Sequence, residues 1–163
     1  MIILGIDPGY AIVGYGVIKK ENDKMFPIAV GTITTPASES VPVRLAMIDS
    51  ELSKIIKKFK PDCVAVEELF FNTNVTTALK VAQARGVILL GSIKECGKIY
   101  EYTPLQVKLA LTGNGRAEKQ QVQYMVKAVL GLKEIPKPDD AADALAVAIC
   151  YAQTAEFNHR VLN

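Results

Sequence analysis

Ile2-Ile3-Leu4-Gly5-Ile6-Asp7-Pro8-Gly9 is an unbroken apolar run that stops at an acid, a proline and a glycine. Five apolar or small residues in a row, without alternation, are what a strand buried on both faces requires, and the Pro-Gly pair turns the chain immediately afterwards. Asp7 is therefore expected to leave a sheet at a strand end, where open α/β sheets place their sites. An aspartate before Pro-Gly also commonly does no more than hydrogen-bond the turn, and local sequence alone favours that plainer reading.

Downstream, Ala11 to Ile18 and Lys24 to Thr34 are rich in Val, Ile, Tyr and Thr, which predicts two more strands in a meander. Leu45, Ile48, Leu52, Ile55 and Phe59 recur at steps of three or four, predicting a helix over Val43 to Phe59 that Pro61 ends. Cys63 to Val66 reads as a fourth strand, parallel because a helix precedes it. Asn72-Thr73 is the expected cap of a long helix to about Cys96, and Ile99 to Tyr102 a fifth strand. Thr103-Pro104 starts a short helix ending near Gly113; a further helix spans Ala117 to Leu130, and the last spans Asp139 to Gln153. The expected fold is α/β, a mixed five-stranded sheet flanked by helices on both faces. Residues 1–153 form the single domain and 154–163 a polar, flexible end. Within the long helix, Val87 and Leu89 point to nearly opposite sides, so that helix either lies sandwiched within one chain or meets a second subunit.

The 163 residues suit one domain, and half of them are apolar with 22% charged, which excludes disorder. Cys63, Cys96 and Cys150 are odd in number, far apart and set in apolar stretches, as reduced core thiols of a cytoplasmic protein are. No basic leader precedes the first strand and no apolar run approaches a membrane span, so a soluble, unprocessed chain without a membrane partner is expected. A net charge of +2 is too small to identify a nucleic-acid partner.

Three further acids invite attention. Glu67 follows the fourth strand beside Glu68; alternation places Glu67 with Cys63 and Ala65, and Glu68 with Val64 and Val66, without choosing between them. Asp140 and Asp143 are three apart at a helix start and so share a face. Capping and the helix dipole account for Asp139 and Asp140. They account less well for Asp143, which lies deeper among Ala141, Ala142, Ala144 and Leu145. If such carboxylates converge, two charges ~4 Å apart repel by about 4 kcal/mol at an effective dielectric of 20. An oxygen-only donor set without Cys or His then favours Mg²⁺ or Mn²⁺ over zinc.

The segments Ile6-Asp7-Pro8-Gly9, Val66-Glu67-Glu68-Leu69-Phe70, Ala82-Gln83-Ala84-Arg85-Gly86, Gln106-Val107-Lys108, Ala117-Glu118-Lys119 and Asp140-Ala141-Ala142-Asp143-Ala144-Leu145-Ala146 together resemble the RuvC family of Holliday-junction resolvases. The resemblance spans nearly the whole chain. It implies a ribonuclease-H-like fold and a homodimer that nicks two symmetry-related strands of four-way junction DNA, leaving 5′-phosphate and 3′-hydroxyl ends. Its implied metal and catalytic residues are Asp7, Glu67, Asp140 and Asp143, which selects Glu67 over Glu68 and Asp140 over Asp139. Two Mg²⁺ ions per site, with Mn²⁺ as substitute, and a branch-migration helicase partner are further implications.

Lys108 and Lys119 match basic positions near the family's active site. Lys119 opens a helix, where the dipole mildly disfavours it, which speaks for function. Arg116, with Gly113 and Gly115, forms a loop expected to offer backbone N–H groups to a phosphate. Phe70 matches an aromatic that contacts an unstacked base. Two departures stand out: Glu68 replaces a glutamine common there, and Asp139 is an additional acid. An apolar strand ending in Asp-x-Gly also opens actin-like ATPases and sugar kinases, but those need two lobes. A catalytically silent junction-binding module is the third reading, and the intact set of four acids argues against it.

Overall fold

The computed structural model describes the backbone of residues 1–69 and 74–161, with side chains through residue 155. Five strands, β1 (Ile2–Asp7), β2 (Ile12–Glu21), β3 (Lys24–Thr34), β4 (Cys63–Glu67) and β5 (Ile99–Tyr102), form one sheet in the order β3-β2-β1-β4-β5. The first three pair antiparallel, as the meander reading expected, and β4 and β5 join in parallel. Five helices complete the chain: α1 (Val41–Phe59), α2 (Val75–Glu95), α3 (Pro104–Thr112), α4 (Lys119–Leu130) and α5 (Asp139–Val161). Among the described residues, no helix is long and apolar enough to cross a membrane.

Strand alternation sorts the core into two halves. Leu4, Ile6, Val13, Val17, Val64 and Val66 face α1 and α2, whereas Ile3, Ile18, Cys63 and Ala65 face α3, α4 and α5. Each fully buried Leu, Ile or Val contributes about 1.5–3 kcal/mol relative to exposure. Helix α5 is buried on all sides from Ala144 to Ala152, because it lies between the sheet and α3 and α4. It can approach the sheet closely because β1 and β2 present glycines to it. A methyl group at Gly5 would overlap the Ala144 carbonyl, and one at Gly14 the Asp140 carbonyl.

Two local expectations need correction. Helix α2 is capped by Asn74, whose side-chain oxygen accepts from the Thr76 and Thr77 N–H groups, and not by Asn72-Thr73, which lie outside the described residues. Helix α5 continues past Gln153 to Val161. Thr154 still packs, its hydroxyl donating to the Cys150 carbonyl and meeting the Tyr102 hydroxyl, and Ala155 covers the core. Val87 and Leu89 of α2 are partly buried and pack against the core of this chain. The large apolar residues α2 leaves exposed are Val75, Leu79, Leu90 and Ile93. Cys63, Cys96 and Cys150 are free thiols, the first and last buried.

Gly5→Ala is expected to lower the free energy of unfolding by about 1–3 kcal/mol, because the added methyl forces α5 off β1. Urea denaturation measures this, and an unchanged midpoint would contradict the close approach.

Candidate active site

The parallel register Ile6↔Val66 ends β1 and β4 side by side, so Asp7 and Glu67 leave adjacent strand ends. Alternation places Asp7 with Ile3 and Gly5, and Glu67 with Cys63 and Ala65; this is the side covered by α5. The choice between Glu67 and Glu68, open from alternation alone, follows once α5 is known to lie there. Asp143 sits one turn into α5 between buried Ala142 and Ala144 and comes into the same space. Asp140, one turn earlier, has its backbone against Gly14 of β2 and adds its charge to the field at Asp7.

Asp7, Glu67 and Asp143 line one cavity of about 260 Å³ together with Lys108 and Lys119. Burial, followed by the charges of Glu67, Asp143 and Asp140, pushes the Asp7 carboxyl up to about 9. Burial and Asp143 push Glu67 up to about 6, against a hydrogen bond from Asp7 and the nearby Lys119 and Lys108. Asp7 and Glu67 are thus held together by a hydrogen bond through one shared proton. Asp143 is also raised, by burial, although Lys119 opposes the shift.

Lys119 lies at the rim of this cavity, its Nζ 3.1 Å from Asp143 and 3.4 Å from Asp139. Burial alone would lower its ammonium, but Asp143 and Asp139 outweigh that and raise it. Asp139, the additional acid, accepts from Gln123 Nε2 at 3.1 Å and lies 3.7 Å from Lys137. It ties the start of α5 to α4 and does not enter the cavity.

The four acids thus meet at one end of the sheet, with three of them in one cavity. Among the described residues no three His, Cys, Asp or Glu side chains are gathered tightly enough to hold one ion. The donor chemistry nevertheless fits a hard divalent cation: all oxygen, buried, and carrying negative charge that Lys119 and one shared proton offset only in part.

Arg116 stands apart, exposed in the loop between α3 and α4. Most of the N–H groups in its loop are already engaged within the turn. Arg116 N–H donates to Asn114 Oδ1, Asn114 N–H to Thr112 Oγ1, and Gly113 and Ala117 N–H to backbone carbonyls. Phe70 lies outside the described residues. Sequence reasoning missed Arg85, whose Nε donates to the Glu67 carbonyl at 3.4 Å and whose guanidinium lies 3.3 Å from Glu101. A signal existed, since Val81, Arg85, Ile88 and Ser92 form one helical stripe containing buried residues, where an arginine needs a reason.

Residues 3–151 match the family described as crossover junction endodeoxyribonuclease RuvC. A crossover junction endodeoxyribonuclease RuvC of Desulfitobacterium hafniense is 57% identical over 162 residues, covering 99% of this chain and 98% of the relative. The structure of Thermus thermophilus RuvC in complex with a Holliday junction substrate is similar with a TM-score of 0.90 at 39% identity, over 97% of this chain and 96% of that one. The yeast mitochondrial Holliday junction resolvase Ydc2, at 16% identity and a TM-score of 0.69 over 96% of this chain and 82% of that one, shares the fold. The sheet and its helices are thus of the expected ribonuclease-H-like kind.

The raised Asp7 carboxyl has a stability consequence. The folded state keeps a proton that the unfolded chain releases near pH 4, so without a cation stability falls as pH rises from about 4 towards 9. Asp7→Asn is expected to flatten that slope and to stabilise the cation-free protein at pH 8 by on the order of 1–3 kcal/mol. Urea unfolding in chelator at pH 5 and pH 8 reads the effect. Parallel pH profiles for the two proteins would refute the assignment.

Proposed function

The chain belongs to the RuvC family of crossover junction endodeoxyribonucleases, and we propose that it cuts two symmetry-related strands of a four-way DNA junction at the cavity formed by Asp7, Glu67 and Asp143. It is an endonuclease of recombination and repair. The observation that carries the assignment of the cavity is the forced gathering of carboxylates at the sheet's end, which raises Asp7 to about 9. A merely structural site has no reason to retain that cost.

Asp7, Glu67, Asp140 and Asp143 would hold divalent cations, Mg²⁺ with Mn²⁺ as a substitute and two per site. Bound there, such ions supply the Lewis acidity and charge neutralisation that phosphodiester hydrolysis needs, leaving a 5′-phosphate and a 3′-hydroxyl. The chain's own cations complete the site. Lys119, now held by Asp143 and Asp139, stands at the mouth where a phosphate must enter. Lys108 lines the same cavity from α3, so an incoming phosphate meets two ammonium groups. Pro104 and Val107 form the apolar wall beside them, restricting water around the reacting phosphate. Arg85 positions Glu67 by holding its carbonyl.

A homodimer supplies the second cut, since each chain carries one acidic set. The support is the row Leu79, Leu90 and Ile93, exposed along α2 at 59%, 54% and 49% on the side away from the sheet. Gly86 lies in the same helical row, with open space around its Cα, so a second helix could come close.

Asp7→Asn and Asp143→Asn are each expected to reduce Mg²⁺-dependent nicking of a synthetic four-way junction at least ~100-fold while junction binding persists. Mapping the cuts with Mg²⁺ or chelator, on junction and on linear duplex, tests the reading; undiminished cutting by either variant would refute it. Leu90→Glu is expected to convert a dimer at micromolar concentration into a monomer in sedimentation equilibrium. Wild-type protein that stays monomeric even with junction DNA would overturn the dimer.

A further inference from the structure

On the other side of the strand end that carries Asp7, two cations converge on one aromatic ring. Tyr10 follows the Asp7-Pro8-Gly9 turn. The Arg44 guanidinium stacks 3.9 Å from its ring centre, and Lys80 Nζ lies 5.6 Å from the same centre. Arg44 comes from the first turn of α1 and Lys80 from the first half of α2. Neither pairs with a carboxylate among the described residues.

Arg44 is only 7% exposed, so its charge is largely withdrawn from water. Its Nε donates to Thr35 Oγ1 at 2.8 Å and one Nη to the Thr35 carbonyl at 3.3 Å. Thr35 Oγ1 in turn donates to the Tyr10 carbonyl at 2.7 Å. The guanidinium is thus clamped on two sides. Its remaining Nη has no partner among the described residues, and it is not shut off from water, since Ser92 Oγ is the one buried unpartnered side-chain atom found among them. A rigid arginine thereby offers one N–H edge to solvent.

The surroundings add to the positive field. The first turn of α1 contains no acid, and Ser40 makes no side-chain cap, so the positive end of a 19-residue helix beside Arg44 is offset within the helix by no side chain. Glu39 precedes it, exposed and without an ion pair among the described residues. The first turn of α2 likewise holds no acid. A nearly buried guanidinium that lacks a carboxylate among the described residues, beside a lysine that pairs with none and a helix N-terminus, suits an anion from outside.

We propose that Arg44, Tyr10 and Lys80 form a second phosphate-binding subsite, which grips the backbone of a DNA strand passing the acid cavity on the α1–α2 side. The inference rests on the endonuclease reading. Arg44 provides a fixed hydrogen-bonding edge, Lys80 a mobile point charge, and Tyr10 the platform that holds both near the strand end bearing Asp7. This subsite contributes to affinity for the strand and takes no part in hydrolysis.

The test is junction binding by the full chain, followed by fluorescence anisotropy in chelator across a salt series. Lys80→Ala is expected to weaken binding about 3–10-fold at 0.1 M salt and to lower the log–log salt slope by about 0.9, the signature of one lost phosphate contact. Lys80→Glu should weaken it further. Arg44→Gln should act in the same direction, with a thermal melt to confirm that it folds; Lys80 is exposed and keeps the test decisive if it does not. Single-turnover nicking at saturating protein should stay within about twofold of wild type for both lysine variants. Wild-type affinity and slope in Lys80→Ala and Lys80→Glu would overturn the subsite and leave Arg44 a structural clamp. Loss of nicking at saturation would overturn it too, by placing Lys80 in the chemistry. If the wild-type chain bound no junction, the endonuclease reading itself would fall.

Discussion

The contact on which the rest of the molecule depends is the laying of α5 directly onto the glycines of β1 and β2. With side chains at Gly5 and Gly14, the carbonyls of Ala144 and Asp140 would have to retreat from the sheet. Without them, backbone meets backbone, and the helix start carrying Asp140 and Asp143 comes down onto the strand ends carrying Asp7 and Glu67. The small residues of α5 serve the same approach from the other side. Ala141, Ala142, Ala144, Ala146 and Ala148 are all buried, and larger side chains would lift the helix away.

That packing gathers negative charge in a place poor in water. The molecule meets the conflict in three ways. One proton is shared between Asp7 and Glu67, Lys119 reaches in from α4 to Asp143, and Asp139 holds Lys119 from outside. The arrangement gives the additional acid Asp139 a role beyond the helix-end one that its position alone suggested. It draws α4 and α5 together through Gln123 and Lys119, and the lysine remains at the rim. The buried core, by contrast, contains little polarity: among the described residues only Ser92 Oγ lacks a partner in the interior.

Most of the fold was legible because it rests on local signals. The five strands and five helices follow from apolar runs, helical periods, and Pro and Gly punctuation; Thr103-Pro104 and Gly131 mark helix ends as expected. The acids were legible one by one, but each had a local explanation, and convergence is a property of topology. Only with α5 on the sheet does the side of Cys63 and Ala65 become the side that matters for Glu67. What angular separation left open was of another kind. Val87 and Leu89 allowed either a sandwiched helix or a subunit contact; both are partly buried within this chain, and the exposed row of α2 runs through Leu79, Leu90 and Ile93. The glycine loop before α4 looked open to phosphate, but Asn114 and Thr112 side chains take up two of its N–H groups, a detail no spacing reveals.

Arg44 and Arg85 show how a better reading could have been made. Arg44 precedes Ile48, Leu52 and Ile55 on the buried stripe of α1, and Arg85 lies with Ile88 and Ser92 on that of α2. A guanidinium in such a row must either pair within the fold or serve something outside it, because burial without compensation is costly. Arg85 pairs within, to the Glu67 carbonyl and Glu101. Arg44 finds only a threonine and an aromatic face. Both arginines reach the end of the sheet where Asp7 and Glu67 emerge, so α1 and α2 are more than a cover for one face. They bring positive charge to the border of an acidic centre whose substrate is itself a polyanion, and such a substrate can be drawn close to those carboxylates only where cations lie on either side of them.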